Sequence, residues 1–227
     1  AQQLKSAEKS LIILGALAHN HPQAALIRQW TQFIAQHSGA QWVYLTEGAN
    51  SAGGWLAGAV PHRLPCGVNV AEPGLSAAEM FKADLHAYLL LNIEPNLDCA
   101  NPQRVSKALQ QADFVVALSP FKAKSLLEQA NVILPIATTA EIEGSFVNTA
   151  GCWQHFAEAI PTIGESRAAW KLLQTLGNLF ELADFNHSCH AFIREELEPA
   201  LNQYRARATQ SLDFIADTKW LGSDTNA

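Results

Sequence analysis

The polar residues that follow one short apolar run are the strongest candidates for a functional site in this sequence. The run Val132–Ile136 has the pattern of a buried strand, and glutamates, glycines and an asparagine follow it. A glutamate there is able to accept hydrogen bonds from backbone amides or from a ligand amine, and glycine and asparagine permit tight turns. The candidate site residues are Glu143, Gly144, Ser145, Asn148 and Gly151.

The position of this stretch favours ligand binding, because open α/β sheets hold their ligands at the carboxyl ends of parallel strands. The alternative is a structural Ω-like loop that is anchored by Phe146 and Val147. The residue types alone do not separate these two interpretations.

Two histidines and a cysteine lie within four residues near the C-terminal helical pattern, which raises the possibility of a metal site. His187, Cys189 and His190 lie close together, and the two histidines would share one face of a helix. No second ligand cluster accompanies them, and the four cysteines are scattered without a CxxC pair. Because zinc and iron–sulfur sites usually need ligands at short spacings, the sequence predicts no metal ligand and a reduced, cytoplasmic compartment. His19 and His21 are interpreted as a solvated turn.

Two further turns have some features of a ligand site. Gly15 follows the first strand, but Leu17 and Asn20 stand where a dinucleotide-binding fingerprint needs glycine, so no NAD site is expected. The polar turn 94–98, which contains Glu94 and Asp98, follows a later strand. It is able to meet a ligand, but a plain turn into the next helix is the favoured interpretation. No catalytic residue is assigned.

The composition is that of a folded, acidic protein. Of 227 residues, 48% are hydrophobic and 16% are charged, and the formal net charge is −6. This balance argues against a nucleic-acid partner. The apolar runs are shorter than the roughly 20 residues of a membrane span, so direct membrane insertion is not expected. The N-terminal residues lack both a signal-peptide core and an initiator methionine, so we expect a piece of a longer protein.

Apolar runs alternate with helical patterns, which predicts an α/β fold with a doubly wound, mostly parallel sheet. The predicted strands are 10–15, 42–45, 87–92, 113–119 and 131–136, and the predicted helices are 21–39, 102–110 and 121–129. The stretch 46–74 is rich in glycine and proline and fits no ordinary element. Helical patterns at about 166–182 and 187–207 close the chain. We therefore expect a Rossmann-like domain at 1–155 and a helical extension at 156–227 that packs on it or on other parts of the protein.

Several segments, taken in order, resemble one known superfamily. QANVILPIATTAEIEGSFVNTAGCWQ resembles the signature of the molybdopterin oxidoreductases, in which a strand of the ADVVLP kind precedes a Glu, a Gly-Thr pair, an Asn and a Glu-Gly-Arg. EGANSAGGWLAGAVP, LLLNIEPNLDCANPQRVSKAL and PTIGESRAAWKLLQTLGNLF are similar to one branch, the large iron–sulfur subunit of bacterial NADH:quinone oxidoreductase (respiratory complex I). The resemblance covers about residues 10–192 and is most specific over 130–180.

The resemblance implies a scaffold role for this segment. In that branch the 2Fe-2S and 4Fe-4S clusters are held by an N-terminal part that this sequence lacks, and the molybdopterin-like region is generally without its cofactor. The implied partners are those iron–sulfur domains and other subunits of the peripheral arm, on the cytoplasmic side of the bacterial inner membrane. The parent complex passes electrons from NADH to a quinone, and this segment is expected to be non-catalytic.

Two positions depart from the signature, since Ala150 replaces its Glu and Cys152 replaces its Arg. The run between Ala130 and Glu165 contains no Lys or Arg. Fixed guanidinium groups bind the phosphates of a pterin dinucleotide through charge-assisted hydrogen bonds. We therefore expect Glu143, Gly144, Ser145, Asn148 and Gly151 to form a vestigial loop that holds no molybdopterin.

Two other functions stay open. The chain is alternatively a fragment of an active molybdopterin-dependent oxidoreductase of formate dehydrogenase type, or a free-standing α/β module that binds a small molecule. Stoichiometric molybdenum would favour the first alternative, and tight nucleotide binding by the isolated chain would favour the second. The scaffold hypothesis predicts exposed apolar docking surfaces on 172–182 or 192–201.

Overall fold

The computed structural model describes residues 2–149 and 151–208. The first elements are α1 (Gln2–Ser6), β1 (Leu11–Leu14), α2 (Ala16–His19), α3 (Ala24–Ser38), β2 (Gln41–Tyr44), α4 (Ser51–Leu56), β3 (Arg63–Leu64) and β4 (Val68–Asn69). They are followed by α5 (Ala77–Met80), β5 (Ala87–Leu91), α6 (Pro95–Asp98), α7 (Pro102–Gln111), β6 (Phe114–Ser119), α8 (Lys124–Gln129) and β7 (Val132–Pro135). The last elements are β8 (Gly144–Val147), β9 (Trp153–Phe156), α9 (Ala169–Leu179) and α10 (His190–Ala208).

The expected α/β class with mainly parallel strand pairing is confirmed. Strands β5, β6 and β7 form a parallel sheet in that order, and β1 pairs with β2 in a second parallel sheet. Strands β3 and β4, and likewise β8 and β9, form antiparallel pairs. In the described residues the two parallel sheets do not join into the single sheet that the strand pattern predicts. Residues 46–86, which separate β2 from β5 along the chain, fold into small elements of their own.

The main hydrophobic core lies between the three-stranded sheet and the two helices α7 and α8. Its strand residues are Tyr88, Leu90, Val115 and Ala117, and its helix residues are Val105, Leu109 and Leu126. Helix α7 begins where the sequence predicts, because Asn101 caps it by accepting a hydrogen bond from the Arg104 amide at 3.0 Å. This packing fixes the sheet whose last strand leads into the candidate loop.

One side of each parallel sheet is exposed. In β5, burial alternates along the strand, and Leu89 remains 52% exposed. In β1, Leu11 and Ile13 are 53% and 56% exposed, and only Leu14 is buried. The continuous apolar runs predict cover on both faces, whereas the described helices bury one.

The glycine- and proline-rich stretch 46–74 is not structureless. It contains α4, the short pair β3–β4 and a 3-10 turn at Pro65–Gly67. Helix α4 and this turn pack against each other, and α4 also contacts β8 while the turn contacts α10. The stretch therefore forms the surface on which the candidate loop rests.

The chain after β9 returns to the end of the three-stranded sheet, next to β7. Ile136 forms a parallel bridge with Arg167, whose backbone amide donates to the Pro135 carbonyl at 3.3 Å and whose carbonyl accepts from Ala137 at 2.9 Å. The predicted helices at 166–182 and 187–207 correspond to α9 and α10, while residues 209–227 of the expected extension lie outside the described part. The division at residue 155 stays a prediction. Within the described residues, no helix combines the length and apolar character needed to cross a bilayer.

Candidate functional site

A buried glutamate fixes the loop that follows β7. The side chain of Glu141 accepts hydrogen bonds from the Thr138 amide at 2.7 Å and the Thr138 hydroxyl at 2.9 Å. Its other carboxylate oxygen accepts from the Ile163 amide at 3.0 Å. Because Thr138 and Glu141 form a capping box around a 3-10 turn, the carboxylate closes the loop and ties it to the chain that returns at Ile163.

These hydrogen bonds also set the protonation of Glu141. The Thr138 backbone amide and hydroxyl, with a smaller contribution from the Ile163 amide, lower the pKa of this carboxyl below its ordinary value of 4.5, against a desolvation effect that raises it. Hydrogen bonds to the charged form of a carboxyl stabilise that form. Glu141 is therefore a charged structural residue at neutral pH.

The candidate residues Gly144 and Ser145 lie in β8 and pair with β9. Gly144 is registered with Phe156, and a Cβ added at Gly144 would lie 2.7 Å from the end of the Phe156 ring. Phe156 in turn packs edge-on against Phe146, with the ring centroids 5.0 Å apart. Gly144 thus allows an aromatic ring to pack closely against the strand. The sequence assigned it a different role, that of supplying backbone freedom.

Ser145 and His155 face each other across the β8–β9 pair. The Ser145 hydroxyl and the His155 Nδ1 are 2.7 Å apart, and both side chains lie on the exposed side of the pair. A hydroxyl bonded to an imidazole is the first contact of a nucleophilic dyad. At directly opposed positions of two short strands, the same contact also stabilises strand pairing.

Asn148 and Gly151 close the turn between β8 and β9. The Asn148 side-chain oxygen accepts from the Cys152 amide at 2.9 Å, and the Asn148 carbonyl accepts from the Gly151 amide at 2.9 Å. Gly151 has a φ of +74°, a conformation that glycine adopts at little cost. Cys152, which replaces the signature Arg, is exposed, and Ala150 lies outside the described residues.

Glu143 contacts the C-terminal helix. Its carboxylate lies 2.5 Å from His190 Nδ1 at the start of α10, and the two side chains are 55% and 23% exposed. The sequence interpretation left Glu143 free to accept from backbone amides or from a ligand amine. The structure gives it a histidine partner, far along the chain.

The β8–β9 pair rests on the glycine-rich stretch through polar and apolar contacts. The Asn50 side-chain oxygen accepts from the Val147 amide at 2.8 Å, and the hydroxyls of Thr46 and Thr149 are 3.2 Å apart. Val147 and Leu56 are buried together. Val147 therefore anchors the loop, as the structural-loop interpretation predicts.

The apolar cluster around Val147 is completed by Ala52, Cys66, Trp153 and Leu197. Burial raises the pKa of the Cys66 thiol, which disfavours the thiolate that metals and electrophiles require. Cys66 therefore contributes packing to this cluster.

The residues that were considered as metal ligands have separate partners. His187 Nε2 lies 2.7 Å from a Glu196 carboxylate oxygen, whereas His190 contacts Glu143. His21 Nδ1 accepts from the Gln23 amide at 3.0 Å. In the described part of the chain, no three His, Cys, Asp or Glu side chains are grouped as a metal site requires.

The polar side chain of Asp98 and the buried Pro95 stabilise the turn at 94–98. The Asp98 side chain accepts from the Glu94 amide at 2.7 Å, and Pro95 is fully buried. This hydrogen bond closes the short helix α6 before α7 begins.

Sequence reasoning missed Glu141 and Asn50, and it considered His190 as a metal ligand and not as the partner of Glu143. The Thr-x-x-Glu spacing of Thr138 and Glu141 is a capping-box signal that would have identified Glu141. No local signal points to Asn50 or to the pairing of His190 with Glu143, because the partners are distant in the sequence.

A comparison with protein families agrees with this arrangement. The model of the molybdopterin oxidoreductase family matches residues 1–179, which includes both parallel sheets and the β8–β9 pair. The chain belongs to the molybdopterin oxidoreductase family.

Curated relatives of this family member carry two kinds of name. Over 130 residues the chain is 29% identical to "Putative formate dehydrogenase YrhE" of Bacillus subtilis, covering 56% of this chain and 13% of that protein. Over 146 residues it is 30% identical to an NADH-quinone oxidoreductase subunit of Streptomyces coelicolor, covering 54% of this chain and 17% of that protein. The chain thus spans less than a fifth of the length of these relatives.

Proposed function

We propose that this chain is a scaffold segment of a large NADH:quinone oxidoreductase subunit and that it holds no pterin or iron–sulfur cofactor of its own. The observation that carries the proposal is the use of the loop's polar groups within the protein. Glu141 bonds to Thr138 and Ile163, Asn148 closes its own turn, and Glu143 contacts His190. Groups that are engaged in this way contribute to the fold, and a ligand would have to compete with these contacts.

The charge of the loop supports the same conclusion. A pterin dinucleotide carries phosphates, and each charge-assisted hydrogen bond that is lost costs roughly 1.5–3 kcal/mol of binding free energy. Residues 131–164 contain no Lys or Arg. Arg167, the first cation after them, donates from Nη1 to the Ser166 carbonyl at 3.0 Å. The residues of the loop therefore do not fit a multiply anionic ligand.

Exposed apolar surfaces fit a segment that is covered by other parts of an assembly. Parallel sheets normally have both faces covered, yet Leu89 and Phe114 are 52% and 48% exposed on one face of the three-stranded sheet. At the end of α9, Leu179 and Phe180 are 74% and 72% exposed. Patches of this kind are typical of interaction sites. In this proposal they dock the iron–sulfur domains of the same subunit and neighbouring subunits of a peripheral arm on the cytoplasmic side of the inner membrane.

The formate dehydrogenase names among the relatives favour a second function. An active molybdopterin enzyme would bind the cofactor's phosphates with cations from other parts of its chain. This alternative shares the fold and predicts a different metal content for the complete protein.

Metal analysis of the complete gene product that contains this chain tests the proposal. We expect several iron atoms and less than about 0.1 molybdenum per protein when molybdate is supplied during growth, since the clusters belong to other domains. One molybdenum atom per protein, accompanied by a fluorescent oxidised pterin after acid extraction, would establish the alternative.

Titration of the isolated chain with nucleotides addresses the third interpretation, the small-molecule module. We expect no heat of binding with adenine and guanine nucleotides in calorimetry. Saturable binding of one of them with a micromolar Kd would require a ligand site, and the scaffold proposal would then be wrong.

A further inference from the structure

A cleft of about 540 Å³ lies at the amino-terminal end of β5, between residues 81–86 and one side of α7. The candidate loop follows the carboxyl end of β7. Because β5, β6 and β7 are parallel, the cleft and the loop lie at opposite ends of the strands. The cleft is therefore separate from the loop that carries the family signature.

Positive charge predominates along this cleft. Lys82, Arg104 and Lys107 line it, and in the described residues no carboxylate oxygen lies within 4 Å of their charged nitrogens. Asp84 is the single carboxylate among the described lining residues, and His86 contributes an imidazole that contacts Asp113 at 2.8 Å. This concentration of cations stands out on a chain whose formal net charge is −6.

The floor of the cleft is apolar. Phe81, Leu85 and Ala108 are partly buried, and they pack against the main hydrophobic core. The Phe81 ring stacks on the Tyr88 ring, with centroids 5.7 Å apart. An occupant would thus meet apolar side chains that pack on the core, beside the exposed cationic side chains.

One side of the cleft follows α7, and its length distinguishes among anionic ligands. Arg104, Lys107, Ala108 and Gln111 follow each other along one side of α7, a length of about 10 Å at 1.5 Å per residue. Gln111 is at the carboxyl end of the helix, where the free carbonyl groups disfavour a compact phosphate. About three residues of extended polypeptide span the same length.

We propose that this cleft docks an extended acidic polypeptide segment of a partner protein, with carboxylates bound by Lys82, Arg104 and Lys107 and an apolar side chain seated on Leu85 and Ala108. Alternating acidic and apolar side chains fit a surface with a cationic rim and an apolar floor. The proposal does not depend on the cofactor content of the protein.

Fluorescence anisotropy tests the proposal directly. The probe is a labelled heptapeptide of alternating glutamate and leucine, titrated with the 227-residue chain, and its comparison is the peptide with glutamine in place of glutamate. We expect saturable binding of the acidic peptide that is at least about tenfold tighter than that of the glutamine peptide and that weakens as salt is added. Equal binding of the two peptides, or binding of neither, would refute the proposal.

Two charge-matched variants locate the binding. The Arg104→Gln/Lys107→Gln variant should weaken binding of the acidic peptide about tenfold, whereas Lys5→Gln/Lys9→Gln, which makes the same change in net charge outside the cleft, should change it less than about twofold. Equal losses in both variants would show general attraction only. Circular dichroism checks folding, and Lys82→Gln replaces the double variant if that variant does not fold.

Two further outcomes also count against the proposal. If inorganic pyrophosphate displaces the peptide and itself depends on Arg104 and Lys107, the cleft is a site for compact anions. If sedimentation shows a dimer that the Arg104→Gln/Lys107→Gln variant abolishes, the occupant is a second copy of this chain.

Discussion

The Glu141 side chain ties the start of the candidate loop to the chain that returns at Ile163. Its two carboxylate oxygens accept three hydrogen bonds, two from Thr138 and one from Ile163. The sequence drew attention to Glu143 instead, because that residue directly precedes the Gly-Ser pair of the signature. The difference is physical: Glu141 points into a turn that it closes, whereas Glu143 points outward to His190.

Replacement of Glu141 by glutamine should destabilise the protein in a pH-dependent way. Because the Thr138 bonds lower the pKa of the folded-state carboxyl below 4.5, the charged form contributes stability above about pH 4.5. That contribution is lost as the pH falls through the lower folded-state pKa. We expect Glu141→Gln to lower the Tm at pH 7, with the difference from wild type shrinking below about pH 4.5.

Thermal unfolding followed by circular dichroism from about pH 3 to pH 7 measures this effect. Glu158→Gln, which removes a charge from an exposed side chain, is the matched control and should leave the Tm nearly unchanged. A Tm difference for Glu141→Gln that does not vary with pH would contradict the assigned role of the charge.

At the level of elements, the sequence predicted strand and helix positions well and burial less well. The strands predicted at 87–92, 113–119 and 131–136 correspond to β5, β6 and β7, because Val, Ile and Leu runs between turns determine a strand locally. Which face of a strand is covered depends on helices elsewhere in the chain. An apolar run such as AYLLL therefore could not reveal that Leu89 and Leu91 are exposed.

Adjacent leucines of α8 provide a direct test of the core. Leu126 is fully buried, and Leu127 is 59% exposed. We expect Leu126→Ala to lower the free energy of unfolding by about 2–5 kcal/mol, because it removes buried methyl groups and leaves a cavity. Leu127→Ala should cost less than about 0.5 kcal/mol. Urea denaturation measures both, and equal losses would contradict the assigned orientation of α8.

The end of α9 is packed too closely for a larger residue at position 177. A Cβ at Gly177 would overlap the Phe185 ring. Alanine normally stabilises a helix by about 1 kcal/mol relative to glycine, but overpacking costs roughly 1–3 kcal/mol. We therefore expect Gly177→Ala to destabilise the protein by about 1 kcal/mol.

The effect of Gly177→Ala on stability should change sign when the Phe185 ring is removed. In a Phe185→Ala background, Gly177→Ala should stabilise by about 1 kcal/mol, since only the gain in helix propensity remains. Chemical denaturation of the four proteins in this double-mutant cycle gives the coupling free energy. Additive effects would mean that Phe185 does not pack on Gly177.

For the molecule as a whole, the sequence established the α/β class and the family, and it could not establish how distant segments meet. The hydrogen bond between Asn50 and Val147 joins residues 97 positions apart. No local pattern encodes such a contact, because Asn50 lies in a glycine-rich stretch that resembles an ordinary loop. The scaffold hypothesis expects exposed apolar side chains at 172–182 or 192–201, and Leu179, Phe180 and Phe192 are exposed; docking at these positions stays a prediction.

The exposed apolar end of α9 should control association of the isolated chain. We expect Leu179→Lys/Phe180→Lys to reduce self-association and binding of the dye ANS, because it breaks an exposed apolar patch, with a stability change below about 0.5 kcal/mol. Sedimentation velocity and ANS fluorescence are the measurements. Leu17→Lys at a position that is 94% exposed is the control, and an equal reduction there would argue against a specific surface.

The contact of Asn50 and Thr46 with β8 and its turn has a consequence during protein synthesis. A ribosome adds about 5–20 residues per second, so the stretch around Asn50 waits on the order of 5–20 s before Val147 has been made. Until then the Leu56 side chain has no Val147 to pack against. Apolar surface around Leu56 is therefore exposed during that interval, when it is able to bind chaperones or to aggregate.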